Sequence, residues 1–192
     1  MRKVIVSVQA SLDGFISGTG PEGDPKNLDW IMPGVAESTP YVQDLLGKAG
    51  TILMGRVTYW GLSQFWPDQT GDFADLMNKT PKIVFSKSGE LKKAEWGKWN
   101  NITLIGKGAE EQVRKLKEQP GQDMVIVASS KLVQSFTNAG LIDDYRIFVH
   151  PVILGSGKRL FENIESRHGL KLVDTIKYAG GCELLHYAAD KR

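Results

Sequence analysis

Residues 143–157 read DDYRIFVHPVILGSG. An acidic pair opens the stretch, β-branched and aromatic residues fill it, and a glycine-rich turn closes it. This is a strand pattern. Two more follow, LKLVDTIKYAG (170–180) and CELLHYAA (182–189), with no amphipathic helix between them. The chain before residue 143 has another rhythm, in which apolar runs alternate with helical patterns. Alternation followed by a run of strands predicts one α/β fold: a mixed, mostly parallel sheet flanked by helices and finished by an antiparallel section.

Working back from that stretch, strands are expected at KVIVSVQ (3–9), TILM (51–54), PKIVFS (81–86), NITLIG (101–106) and DMVIVA (123–128). Helices are expected over 37–50, where Pro40 suits a first turn, and over 56–65 and 71–80. Two more are expected over 109–121, stopped by Pro120 and Gly121, and over 129–142, with serine at its start and Gly140 near its end. A long loop carries glycines at 14, 18, 20 and 23. A loop of that length inside a compact domain commonly serves function. No repeat, low-complexity segment or linker divides the chain, so residues 1–192 read as a single domain.

Composition excludes several classes. The 24 Lys and Arg face 22 Asp and Glu, a net charge of +2, too balanced for a nucleic-acid surface. The single cysteine, Cys182, permits no internal disulfide and suits a reducing compartment. The apolar stretch at the N-terminus is too short to span a membrane and lacks a signal-peptide core, so a cytoplasmic protein is expected. There is no G-x-G-x-x-G after a strand. GSGK at 155–158 fails as a phosphate loop because Val152 stands where its first glycine belongs and Arg159 follows the lysine. No G-x-S-x-G is present, and His150, His168 and His186 lack metal-ligand spacing, so no metal is expected. His150, in an apolar run before Pro151, reads as a core or sheet-edge histidine.

In a parallel α/β sheet, ligands gather at the carboxyl ends of the strands. Four polar stretches sit at such ends: Asp13-Gly14, Gly55-Arg56-Val57-Thr58, Ser86-Lys87-Ser88 and Ala128-Ser129-Ser130. Each has an ordinary reading, as a turn pair, a tight bend, a polar loop and a helix cap. Together they open on one edge. Helix starts after Gly55 and Ala128 present backbone N–H groups to an anion. Arg56 and Lys87 add positive charge, and Thr58, Ser86 and Ser88 add hydroxyls. This set suits a ligand with several phosphates, such as a dinucleotide.

The stretches VSVQASLDGFIS, LMGRVTYW, KIVFSKS and AGLIDDYRIFVHPVILGSGKRLF together resemble the dihydrofolate reductase-like superfamily. Within it they are most similar to the branch related to the reductase domain of bacterial riboflavin biosynthesis. The resemblance implies the mixed sheet read above and NADPH as hydride donor. It implies that Gly55, Arg56 and Thr58 lie along the cofactor phosphates, that Ser86 and Lys87 lie near the adenosine 2′-phosphate, and that Ser129 and Ser130 begin the pyrophosphate helix. Family members usually carry a glycine pair or glycine-serine where this chain has Ala128-Ser129-Ser130. The resemblance also implies a homodimer and a turn, Gly155, Gly157 and Lys158, beside the substrate.

The catalytic candidates are Asp29 and Asp13. A carboxyl beside a tryptophan in a closed site holds its proton more tightly, and Asp29 precedes Trp30. Its ordinary reading is a cap on a helical turn. Asp13 reads first as the residue that orders the loop turn. The expected function is an NADPH-dependent reductase of a small heterocyclic or imine substrate, with 5-amino-6-(5-phosphoribosylamino)uracil the first choice. The alternatives are a dihydrofolate reductase and a nucleotide-binding module without catalysis.

Overall fold

The computed structural model describes residues 1–20, 25–87 and 91–190; Gly23 and Ser88 lie outside them. The elements in chain order begin with β1 (Val4–Ser11), β2 (Phe15–Ser17), a 3₁₀ helix (Pro25–Ile31), α1 (Met32–Gly47), β3 (Ala49–Gly55) and α2 (Arg56–Ser63). A short 3₁₀ turn (Trp66–Asp68), α3 (Asp72–Lys79), β4 (Lys82–Phe85), β5 (Ile102–Ile105), α4 (Ala109–Glu118), β6 (Asp123–Val127) and α5 (Ser130–Asn138) follow. The chain closes with β7 (Asp144–His150), β8 (Lys158–Arg159), β9 (Leu170–Lys177) and β10 (Glu183–Ala189).

Eight strands form one sheet in the order β5-β4-β3-β6-β1-β7-β10-β9, and β2 pairs with β8 in a small antiparallel ribbon. From β5 to β7 every neighbouring pair is parallel. β10 runs antiparallel to both β7 and β9, so it alone is reversed in the large sheet. The mostly parallel sheet with an antiparallel finish is therefore present. The 143–157 stretch itself divides. Its first half is β7, parallel to β1, and the strand stops at His150 before Pro151, which has no N–H to offer a ladder.

β1 shows why the runs look continuous. Val4, Val6 and Val8 pack on one face with Val113 of α4 and Val133 and Phe136 of α5. Ile5 packs on the other with Leu45 and Leu46 of α1, Met77 of α3 and Ile52 and Met54 of β3. A strand covered on both faces needs apolar residues at successive positions, and that removes the period-two alternation.

Helix α1 begins five residues before the expected Glu37. Pro33 occupies its first turn, and Pro40 lies inside the helix. Proline deprives one carbonyl of its N–H partner. Two neighbouring hydroxyls fold back onto carbonyls of the preceding turn, Ser38 Oγ on Gly34 O at 2.9 Å and Thr39 Oγ1 on Val35 O at 2.7 Å. Such back-bonding bends a helix and makes room for the proline ring.

The tryptophans of EWGKW (95–99) frame the amino ends of β4 and β5. Trp96 is fully buried and its indole N–H donates to Asn78 Oδ1 at 2.7 Å. Beneath it Lys82 is 1% exposed, with Nζ donating to Thr80 O at 2.7 Å and Asn78 O at 3.0 Å and lying 4.6 Å from the Trp96 ring centre. Burial lowers the Lys82 pKa from 10.5 to about 7. In the unfolded chain the amine keeps its proton to about pH 10.4. Between those values the unfolded state binds the extra proton, so Lys82 makes stability rise with pH from about 7 to 10.4 and flatten on either side. Urea titrations of wild type and Lys82→Met across this window should show their stability difference changing in favour of wild type as pH rises; a constant difference would mean that Lys82 is charged in the fold.

Candidate functional site

Because β1, β3, β4, β5, β6 and β7 are parallel, their carboxyl ends share one edge. At that edge α2 leaves β3 directly after Gly55, and α5 leaves β6 after the two-residue bend Ala128-Ser129. Ser129 is buried and its hydroxyl joins the two starts. It accepts the Gly55 N–H at 2.9 Å and donates to Thr58 Oγ1 at 2.7 Å. Serine at the start of α5 is expected to cap it, yet the Ser129 side chain makes no cap hydrogen bond. Its oxygen is spent across the sheet, and the starting N–H groups of α5, from Ser130 and Lys131, have no carbonyl one turn behind them. Gly55, Thr58, Ser129 and Ser130 are thus brought together.

The bend is strained. Ala128 has φ 54° and Ser129 φ 58°, consecutive left-handed residues with side chains. Each such residue costs about 1–3 kcal/mol, and such costs cluster where function demands a backbone shape. This is the position where glycine was expected from related proteins.

A second feature lies two strands away, where β4 and β5 end. Ser86, Lys87, Gly106, Lys107, Gly108 and Glu110 line a cleft of about 230 Å³. Ser86 is 4% exposed, and its hydroxyl has no hydrogen-bond partner among the described residues. Buried hydroxyls in native proteins are bonded, so an orphan lining a cleft fits a missing polar ligand. Lys87 and Lys107 are exposed at the mouth. Glu110 is turned to the Ser135 hydroxyl, which holds its carboxyl below the usual range, with lesser help from Lys87. The loop Gly106-Lys107-Gly108 was not singled out in the sequence, although it also follows a parallel strand and precedes a helix.

Other candidates fall elsewhere on the edge. Arg56 is the exposed first residue of α2. Asp13 meets Gly155: its carboxylate accepts Ser11 Oγ–H at 2.6 Å, Leu154 N–H at 3.1 Å and Gly155 N–H at 2.7 Å. Those donors, Ser11 first, bring its pKa down to about 2. Held ionised, Asp13 anchors a turn and stores no proton at neutral pH. Gly157 is obligatory, because a Cβ there would lie 2.0 Å from Ser17 O. Lys158 is half-buried in β8 against Ser17. Asp29 departs from its expectation. It lies exposed on the first 3₁₀ helix, and Trp30 turns away to donate to Asn27 O at 2.9 Å.

A mostly parallel sheet with its reversed strand near the C-terminus and polar helix starts at one edge defines a dihydrofolate reductase-like protein. Within that class the chain belongs to the RibD C-terminal domain family, whose model matches residues 2–184. It is 32% identical to the uncharacterized protein YyaP of Bacillus subtilis (strain 168) over 192 residues, 97% of this chain and 94% of that one. Three solved structures share the fold. A Shewanella sp. PV-4 protein described as a riboflavin biosynthesis protein has TM-score 0.77 at 21% identity, with both chains covered entirely. The Thermotoga maritima diaminohydroxyphosphoribosylaminopyrimidine deaminase/5-amino-6-(5-phosphoribosylamino)uracil reductase has TM-score 0.67 at 13% identity, covering 98% of this chain and 57% of that one. Dihydrofolate reductase from Enterococcus faecalis, complexed with NADP(H), has TM-score 0.59 at 16% identity, covering 98% and 97%.

The strained bend generates a prediction. Ala128→Gly removes about 1–2 kcal/mol of left-handed cost and adds about 0.5–1 kcal/mol of chain entropy, so it should stabilise by about 0.5–1 kcal/mol. Chemical denaturation measures this; a loss of stability would show that the alanine conformation is unstrained.

Proposed function

We propose that this protein is an NADPH-dependent reductase of a small heterocyclic or imine substrate, with 5-amino-6-(5-phosphoribosylamino)uracil the first candidate. One observation carries the reading. A single sheet edge holds a clustered amide and two hydroxyls at two helix starts and, two strands away, a lysine-flanked cleft with an orphaned buried hydroxyl. Those separate polar seats match the pyrophosphate and the adenosine end of a dinucleotide. Gly55, Thr58, Ser129 and Ser130 would hold the first, Ser86, Lys87 and Lys107 the second, and the Arg56 guanidinium at the start of α2 the phosphate that sets NADPH apart. Such a cofactor supplies a hydride from its nicotinamide. The reductase and NADP(H) named for the two more distant neighbours support the reading.

The residues do the remaining work by position. Hydride reaches carbon and a proton reaches the adjacent nitrogen. Asp13 is held ionised, and Asp29 is exposed on the first 3₁₀ helix. Asp13 serves by fixing the Leu154-Gly155 turn against the end of β1.

The working form is proposed to be a homodimer. β7 lies inside the sheet. The edge strand β9 instead exposes Leu170, Leu172 and Val173. An exposed apolar edge is a template for pairing with a second copy. Sedimentation at micromolar concentration should give about twice 21.2 kDa; a single species near the monomer mass would overturn this. No helix among the described residues is long and apolar enough to cross a membrane, and the buried free thiol of Cys182 is in keeping with the proposed cytoplasmic setting.

Cofactor choice tests the reading. NADPH and NADH differ by one phosphate, and a guanidinium binds phosphate through paired hydrogen bonds. Charged hydrogen bonds contribute about 1.5–3 kcal/mol each, so Arg56→Ala should weaken NADPH about ten- to a hundredfold and leave NADH nearly unchanged. Calorimetric titration of both cofactors decides it. Equal losses for the two would mean that Arg56 does not read the extra phosphate, and no binding of either would sink the reductase proposal.

A further inference from the structure

Strand β6 ends before its neighbour does. Its last residue, Val127, pairs with Ser7, and the Ala128 N–H reaches Ser7 O at 3.3 Å. β1 runs on through Val8–Ser11, and there it pairs with β7 alone. A notch is left in the sheet beyond β6, walled by the last turnless stretch of β1 and adjoining the strained Ala128-Ser129 bend. Gln9 stands in that wall. Strand alternation puts it on the Ile5 face, the one that α1 covers.

Gln9 is half-buried, and its Oε1 lies 2.6 Å from Nε2 of His150, which is 2% exposed. The imidazole has a fitted cradle. The Trp30 ring meets it edge-on at 5.4 Å and 89°. Cys182 Sγ lies 3.9 Å from Nε2. On the other side Gly34 of α1 is required, because a Cβ there would stand 2.8 Å from His150 Cε1 and 2.9 Å from the Cys182 Cβ. Burial lowers the His150 pKa and keeps the ring neutral, with one N–H. Since an amide oxygen only accepts, the 2.6 Å contact calls for that N–H on Nε2, and with the proton there the carboxamide is held from flipping. The Gln9 NH₂ is left as an oriented donor turned away from His150. Around this edge Leu12, Leu28, Met32 and Ile153 are 66%, 43%, 63% and 71% exposed, and the Leu12 N–H bonds Val152 O at 2.9 Å, which ties two of these segments together.

An apolar rim, an aromatic wall and one fixed amide donor suit a flat uncharged ring that carries a carbonyl oxygen. We propose that Gln9 is a substrate-recognition residue that donates its side-chain N–H to a ring carbonyl of a planar heterocycle, and that His150 is the residue that positions it. The inference rests on the reductase reading only for what the notch is used for.

The test uses the full chain labelled with ¹⁵N, with and without NADP⁺, and two probes: uracil, and pyrimidine, which is the same ring without carbonyls. Uracil should shift the Gln9 side-chain NH₂ signals and pyrimidine should leave them in place. His150 should read as the Nε2–H tautomer. Gln9→Leu and His150→Phe should each weaken uracil binding about five- to tenfold, the worth of one neutral hydrogen bond. Unmoved Gln9 signals, or a His150 that carries its proton on Nδ1, would overturn the proposal. A purely structural histidine predicts no shift of the Gln9 side-chain signals by uracil. Should His150→Phe not fold, the half-exposed Gln9→Leu variant carries the decision. Shifts of the Gly55 and Ser129 amides by NADP⁺ report separately on the reductase reading, so failure of one is not failure of the other.

Discussion

The position of β6 is the constraint on which the site depends. The chain builds β3, β4 and β5 outward from the centre and then returns to insert β6 between β3 and β1. That insertion makes the switch point at which α/β sheets bind ligands. It also brings Ser129 against Gly55 and Thr58, more than seventy positions earlier in the chain. Since β6 stops opposite Ser7, the strand beyond it has one open side. The cluster at the helix starts and the notch beside β1 both follow from that early stop.

The strain at Ala128 and Ser129 has the same origin. The chain must turn from β6 into α5 while keeping the Ser129 hydroxyl aimed back across β3. Two left-handed residues achieve this, and neither is glycine. The cost is offset by two hydrogen bonds in a buried place, where leaving the Gly55 N–H unpaired would itself cost about 1–3 kcal/mol. The bend is therefore held by the groups that a phosphate would also need. An anion at this bend would compete with an internal hydroxyl for the Gly55 N–H.

Much of the sheet was legible because burial on both faces leaves unbroken β-branched runs, as in Val4–Val8 and Ile52–Met54. The start of α1 was not. Pro40 imitates a first-turn proline, and the signal that accommodates it, hydroxyl back-bonding from Ser38 and Thr39, is not a periodicity. β2 and β8 are too short to show a pattern and exist only through each other. Strand-end chemistry pointed to Gly55 and Thr58, and the fold brings both to the Ser129 hydroxyl. The role of Ser129 was hidden by the general preference of serine for helix caps. The Gln9–His150 contact joins residues 141 apart, and nothing local announces it. Asp29 misled because the adjacent tryptophan suggested a closed pocket, whereas Asp29 lies exposed on the 3₁₀ helix and the Trp30 indole bonds Asn27 O.

The distribution of positive side chains distinguishes the two edges of the sheet. Near the opposite edge the buried lysine amines are consumed by the fold. Lys117 pairs with Asp143, whose carboxylate also takes the Val4 N–H, and Lys82 is given over to two carbonyls and the Trp96 ring. An ion pair buried in this way fixes strand and helix against each other and has little attraction left for solutes. At the carboxyl edge Arg56, Lys87 and Lys107 stay at the surface beside helix starts. A net charge of +2 thus says little about where the exposed cations stand along the sheet edges.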